Sequence, residues 1–482
     1  NGLSNGFTFN LSYLRNSSSA ITFEHGGFTC PPENKETLLW RCDANVEIDF
    51  DPGIDTNRGR MEQAVFWIFQ WPVLFNSHMK CSELKTKLRT HDVRIEIKVV
   101  RSFIIDLSFP RNTLISKPSD AARFEIAGRV VHLSKKMLTR CSPFFDAMFN
   151  CDFLEKSTDS YALREVEFLE VMHLMAIVHR KTAFMDASSV GYLATLADMY
   201  DVREVAELCR DFLLFRKDEK VENREIISER CDHFRQERSA IETKGILVSY
   251  KTLGPDVMCA DGELEIGAFH CRLKLSRYSN PTYGDLVAMK LSPMKNDRSV
   301  LWRCVTSNNV VEEQHVFSSF YYTQRYRSMT SASTANQNYN FCMKLIESDF
   351  IDLSSPENEF IKDPEDAVCL EVDGTKLWFS KTVLTLSCAS FCDLFKETKD
   401  VYVIDDVDFI PFLHFMALLH SHKFEINCNF HEHSSRPVAY LLKMADRFRC
   451  DYMTDRVFVR LELKDVKEYN DSVRRSWISH FG

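Results

Sequence analysis

Glycine and proline are scarce in this chain, 15 and 14 among 482 residues. That excludes collagen-like repeats and long low-complexity linkers. No block of lysine and arginine stands out, and 60 basic residues against 69 acidic give a formal charge of −9. A phosphate backbone calls for the opposite field, so nucleic acid is not an expected partner. Long apolar runs are missing as well. The longest, Ala64 to Phe75, is twelve residues broken by Gln70 and Pro72, too short for a bilayer, and no membrane association is expected. There is no G-x-x-x-x-G-K-[ST] loop, no G-x-G-x-x-G turn, no H-E-x-x-H and no G-x-S-x-G. Enzymes built on those motifs are not expected, and no catalytic residue and no cofactor is assigned; a cysteine–histidine pair that meets only in space stays open. Sixteen cysteines are present but no C-x-x-C. Scattered through apolar surroundings, they read as buried thiols of a reducing compartment, cytoplasm or nucleus.

What is there is a repeat. Phe23-Glu24-His25-Gly26-Gly27-Phe28-Thr29-Cys30 lines up with Leu264-Glu265-Ile266-Gly267-Ala268-Phe269-His270-Cys271. Leu39-Trp40-Arg41-Cys42 recurs as Leu301-Trp302-Arg303-Cys304, and Ile105-Asp106-Leu107-Ser108 as Ile351-Asp352-Leu353-Ser354. Asp120, Glu125, Gly128, Ser134, Leu138, Phe145 and Phe149 find identical partners 246 residues on, whereas Phe168, His173, Met175 and His179 find theirs at 241. Two copies of a unit of about 240 residues account for this, consistent with three or four domains of about 100–200 residues.

Each copy divides by pattern. Residues 1–115 and 246–360 alternate apolar and polar positions, as in Val46-Glu47-Ile48-Asp49-Phe50 and Arg94-Ile95-Glu96-Ile97-Lys98-Val99, which predicts antiparallel β-sandwiches. Residues 116–218 and 361–482 open with strands around a turn, Ala127-Gly128 in the first copy, and continue as helices. Ser142-Pro143 reads as N-cap and first helical residue. A helix over 167–179 carries Val171, Leu174, Met175 and Val178 on one face. Another, capped by Ser188 or Ser189, carries Tyr192, Leu193, Leu196 and Met199. Residues 219–245 form a helical linker, one helix or two. The fold class is α+β multidomain: an antiparallel sandwich followed by a mixed, mainly helical domain, twice over.

Phe124 to Phe149, F-E-I-A-G-R-V-V-H-L-S-K-K-M-L-T-R-C-S-P-F-F-D-A-M-F, resembles a BTB/POZ domain, as does L-A-D-M-Y-D-V (Leu196 to Val202). The second copy shows V-D-G-T-K-L-W-F-S-K-T-V-L (Val372 to Leu384) and M-A-D-R-F-R-C (Met444 to Cys450). The half before each resembles a MATH (TRAF-like) sandwich, through E-I-G-A-F-H-C (Glu265 to Cys271), E-H-G-G-F-T-C and the I-D-L-S exit. The chain thus resembles a tandem MATH–BTB protein. The resemblance implies a non-catalytic substrate adaptor of a cullin-3 E3 ubiquitin ligase: MATH domains bind client peptides, and BTB domains dimerise and dock the cullin. The expected partners are cullin-3, unidentified protein clients and the chain itself, through pairing of BTB domains within or between chains. The alternative is a BTB-mediated scaffold or self-association protein without cullin binding.

In cullin-binding BTB domains a hydrophobic-x-Glu element follows the short helix ending near Phe149, and Phe153-Leu154-Glu155 stands at that place. An exposed ring with a neighbouring acid is the make-up of an interface anchor; the competing reading has Phe153 covering its own core and Glu155 solvated. In the second copy the drift from 246 to 241 removes five residues between Phe395 and Tyr402. Phe395-Lys396-Glu397 has the right letters, but Phe395 aligns with the core-facing Phe149, so docking is expected mainly through the first copy. Phe69 and Trp71, with Phe320 and Tyr322 in the second copy, are the candidates for the client-peptide groove; the competing reading places that aromatic face in the sandwich core. His420, His422, Cys428, His431 and His433 invite a zinc site, but their spacing fits no four-ligand frame, and no metal is expected.

Overall fold

A computed structural model of the chain describes residues 8–15, 21–29, 37–50, 63–71, 93–115, 117–150, 160–217, 220–239, 248–249, 259–266, 269–280, 284–293, 298–308, 314–318, 323–327, 342–420 and 436–460. The described residues form two compact units: one runs to His179 and includes Asp186–Val205, the other comprises Arg180–Met185 and Ala206–Arg460.

In the first unit, β1 (Thr8–Arg15) pairs antiparallel with β2 (Ile21–Thr29). The long β3 (Leu38–Phe50) lies between β4 (Gln63–Trp71) and β5 (Val93–Asp106), again antiparallel. The alternating stretches of the sequence meet here, Val46 opposite Ile97 and Ile48 opposite Ile95. A hydrogen-bonded passage leads out of this sheet: Leu107 N donates to Thr37 O (3.0 Å), and Leu107 O accepts from His132 N (2.7 Å). Asn112 holds the passage in shape, donating from Nδ2 to His132 O (2.9 Å) and accepting from Leu114 N (2.9 Å).

Next come β6 (Ala121–Ile126) and β7 (Arg129–Ser134), a hairpin turned at Ala127-Gly128 with φ of 48° and 77°. Two left-handed residues in a two-residue loop match the right-handed twist of the strands, and glycine takes the second place without a Cβ penalty. The short β8 (Tyr161–Leu163) adds parallel to β6. The helices are α1 (Lys135–Cys141), α2 (Pro143–Asn150), α3 (Phe168–Val178) and α4 (Val190–Met199); α5 (Arg203–Phe215), from Ala206 on, and α6 (Arg224–Ser239) belong to the second unit. Arg224 caps α5, donating to the carbonyls of Leu213 (2.7 Å) and Arg216 (2.9 Å).

The second unit holds β9 (Val248–Ser249), β10 (Cys259–Ile266), β11 (Phe269–Asn280), β12 (Gly284–Pro293), β13 (Val300–Asn308), β14 (Gln314–Ser318), β15 (Thr323–Arg327) and β16 (Cys342–Asp352). They form two four-stranded antiparallel sheets, β10-β11-β12-β15 and β14-β13-β16-β9. The passage out of β16 repeats the first: Leu353 N donates to Ser299 O (2.9 Å), Trp378 N to Leu353 O (2.8 Å), and Asn358 Nδ2 to Trp378 O (3.1 Å). After it come β17 (Ala367–Val372) and β18 (Thr375–Ser380), turned at Asp373-Gly374 with φ of 48° and 72°. The rest is α7 (Lys381–Ser387), α8 (Ala389–Leu394), β19 (Tyr402–Val403), α9 (Phe409–His420), α10 (Arg436–Arg447) and α11 (Asp451–Arg460).

Three local features differ from the sequence pattern. Helix α3 is buried from Val171 through Val178, not along one face, because it is a central helix enclosed on every side. Met199, the last residue of α4, is 49% exposed. The N-terminus of α4 is held by Asp186, whose carboxylate accepts from Ser188 N (3.0 Å) and Ser189 N (2.8 Å), while no serine side chain caps it.

Candidate interaction surfaces

Phe153, Leu154 and Glu155 lie outside the described residues, just beyond α2, as do Phe320 and Tyr322 between β14 and β15. The same holds for residues 421–435, which carry the histidine-rich stretch after His420. Phe69 and Trp71 fall within β4, in register with Cys42 and Trp40 of β3. What the structure defines is the frame that precedes Phe153, Leu154 and Glu155 in the chain.

That frame is aromatic in the first copy. Phe145, fully buried, stacks on Tyr200 with centroids 5.4 Å apart, and Phe124, Phe149 and Tyr161 close the cluster at 5.1–6.2 Å. Ser142 joins α1 to α2: its Oγ accepts from Phe145 N (3.1 Å), capping α2, and donates to Tyr200 O (2.6 Å). Burial pushes the Tyr200 phenol up to about 12. Phe144, on the outer side of α2, remains exposed, its ring tilted 58° to that of Tyr200 with 5.3 Å between centroids.

In the second copy the corresponding helix is two residues shorter, and its anchors differ. Phe391 stacks on Phe448 at 4.9 Å with the rings 7° from parallel, and Ala389 N and Ser390 N donate to Arg449 O and Phe448 O, each at 3.3 Å. Phe395 is buried, edge-on to Tyr402 at 4.8 Å. Tyr402 turns its hydroxyl back on the short loop, donating to Glu397 O (2.7 Å) and accepting from Lys399 N (3.2 Å). Register makes the shortening explicit. Phe124 pairs with Tyr161 and Leu370 with Tyr402, so strands offset by 246 receive partners offset by 241. Asp393 bonds Lys396 and Arg449, which hold its carboxyl below the usual range.

The repeated histidines brace the cores. His179 Nε2 accepts from Ser134 N (3.1 Å) while Nδ1 donates to Met175 O (2.8 Å), which assigns the Nδ1–H tautomer. His420 does the same with Ser380 N (3.2 Å) and Met416 O (2.9 Å). His173 Nδ1 meets the Tyr192 hydroxyl at 2.7 Å.

One cluster had no counterpart in the sequence reading. The short segment Arg180–Met185, which follows α3, belongs to the second unit. There the Arg180 guanidinium lies over the Tyr452 ring (4.7 Å) and donates to its hydroxyl (2.5 Å). Thr182 Oγ1 and Ala183 N both donate to the Asp455 carboxylate, at 2.7 and 3.1 Å. Lys181 Nζ donates to Leu386 O (2.7 Å), and burial draws its pKa below the usual lysine range. Tyr452 and Asp455 align with Glu204 and Glu207 of the first copy, so the motif positions gave no signal for them.

Residues 120–217 and 363–463 each match the family model of the BTB/POZ domain. The chain carries two BTB/POZ domains. It is also 29% identical over 194 residues to BTB and MATH domain-containing protein 36 of Caenorhabditis elegans, a match covering 38% of this chain and 60% of that protein. A second match, 25% identical over 215 residues, is to BTB and MATH domain-containing protein 38 of the same organism, covering 42% of this chain and 54% of the relative. The chain thus spans less than two thirds of either relative's length. Among the described residues no helix is long and apolar enough to cross a membrane.

Proposed function

We propose that this chain is a non-catalytic adaptor of a cullin-3 ubiquitin ligase. In this reading it is a tandem MATH–BTB chain, with sandwiches at 1–115 and 246–360 that bind client peptides through Phe69, Trp71, Phe320 and Tyr322. The first BTB domain docks the cullin through Phe153, Leu154 and Glu155. The observation that carries the reading is the register difference between the copies. The first has five more residues between Phe149 and Tyr161 than the second has between Phe395 and Tyr402, and the phenylalanine–leucine–glutamate lies in that longer stretch. The second copy has only a buried Phe395 at its nearest equivalent. Support for the sandwiches comes from the antiparallel sheets that precede each BTB domain and from the pairing of MATH with BTB in the relatives' names.

The test is retention of cullin-3 by the full chain. Truncating a central aromatic anchor costs about 2 kcal/mol or more, so Phe153→Ala should lower retention roughly thirtyfold. If the wild-type chain retains no cullin, the adaptor reading is lost.

The second reading is a BTB-mediated scaffold or self-association protein without cullin binding, here with its two BTB domains pairing within one chain. It is favoured by the Arg180–Met185 segment, which comes from the first BTB match yet belongs to the compact unit of the second. Sedimentation at micromolar concentration should then give the mass of a single chain; the mass of two chains would point to pairing between molecules.

A further inference from the structure

Cys388 and Cys450 stand 62 positions apart in the chain, and both are fully buried in the second BTB domain. Cys388 occupies the break between α7 and α8 with extended backbone, φ −131° and ψ 117°; Cys450 occupies the break between α10 and α11. The peptide groups beside them are joined, Ala389 N donating to Arg449 O at 3.3 Å. That bond sets the peptide group after Cys388 directly against the peptide group before Cys450, and the next one, Ser390 N to Phe448 O at 3.3 Å, holds the two breaks together. A disulfide needs Cα atoms about 4.4–6.8 Å apart. Burial first, and then the nearby Cys450 thiol, push the Cys388 thiol well above its ordinary range. In the first BTB domain the aligned residues are Ser142 and Val202, so the sulfur pair is peculiar to the second.

We propose that Cys388 and Cys450 form a modification site at which hydrogen peroxide closes an intradomain disulfide. One sulfur attacks the peroxide, the O–O bond breaks, and a sulfenic acid and one water result. The other sulfur then displaces the sulfenic hydroxyl as a second water and forms the S–S bond. The two thiol protons leave in those waters, and two electrons pass from the sulfurs to the peroxide. Burial holds the Cys388 thiol well above its ordinary range, so closure is slow. The exposed Cys392, one turn along α8, is the thiol that an oxidant meets first. The bond would tie the α7–α8 break to the residue immediately before α11, the helix whose Tyr452 and Asp455 hold Arg180 and Thr182.

The experiment uses the full chain treated with hydrogen peroxide, alkylated with N-ethylmaleimide under denaturing conditions and digested without reduction. The expected result is a peptide joining Cys388 to Cys450, abolished by dithiothreitol and missing from Cys450→Val, which installs the residue of the first domain. Cys392→Ser should retain the linked peptide, and the linked protein should show a higher urea midpoint for the second BTB domain than its reduced form. The proposal is overturned if Cys388 and Cys450 are both still alkylated once Cys392 is fully oxidised, or if Cys388 is found joined to Cys392. The wild-type mass map alone separates these outcomes, whatever the variants do to folding.

Discussion

In the first BTB domain the step from α1 to α2 is held by an oxygen. Ser142 caps the second helix and at the same time satisfies the carbonyl of Tyr200, 58 residues away. In the second domain the same step carries a sulfur, and the work passes to backbone bonds from Ala389 and Ser390. Around it Tyr200 becomes Phe448, Val202 becomes Cys450, and the loop that follows loses five residues. The strand pairing, the turn, the Asp120 and Asp366 bonds to the start of α1 and α7, and the histidine braces are kept. What is common to the two domains is therefore the hairpin-to-helix core. What differs is the buried step into α2 and α8 and the length of the stretch that follows it.

The largest effect that would sharpen this comparison lies in the shared core. Phe145→Ala and Phe391→Ala should each cost about 3–5 kcal/mol, and hydrogen exchange of domain-specific peptides should show each loss confined to its own domain. Next comes the divergent step. Ser142→Ala removes a cap worth about 1 kcal/mol and leaves the buried Tyr200 carbonyl without its donor, for about 2–3 kcal/mol in all. Cys388→Ala loses no cap and should cost about 1 kcal/mol in urea unfolding; equal losses would break the comparison.

A pH effect of about the same size separates the aromatic partners. The folded Tyr200 phenol ionises near 12, against 10 in the unfolded chain. Its contribution is fully present below pH 10 and is lost as pH rises from 10 through about 12, on the order of 2 kcal/mol at the top of that window. Tyr200→Phe, which copies the second domain, should flatten that part of the stability profile measured by alkaline titration of urea midpoints. The smallest effect is a shared one. Gly128→Ala and Gly374→Ala meet no atom within 4 Å and differ from wild type only in their left-handed backbone, so each should cost about 1 kcal/mol, equally in both domains.

Much of this was legible along the chain. The Ala127-Gly128 turn, the Ser142 cap and the apolar helix over residues 167–179 follow from residues within a few positions of one another, and the structure has them at those places. The drift from 246 to 241 was a counting result, and parallel register shows which strands it separates. The single face assigned to α3 failed because periodicity reports an exposed side only where a helix has one. Asp186 was missed as the cap of α4 because two serines nearer the helix offered the same chemistry. The Arg180 cluster was illegible for a different reason: Tyr452 and Asp455 are more than 270 positions away.

By itself the sequence determined the repeat, the hairpin and the α2, α3 and α4 helices of the first BTB domain, and the Ala127-Gly128 turn and Ser142 cap, because those choices rest on local backbone preference and periodic burial. Only the tertiary structure decided that Phe395 is buried, that Arg180–Met185 belongs to the second compact unit, and that the peptide groups beside Cys388 and Cys450 are hydrogen bonded. Each of these depends on side chains brought together by packing of distant elements, and no spacing along the chain encodes that packing.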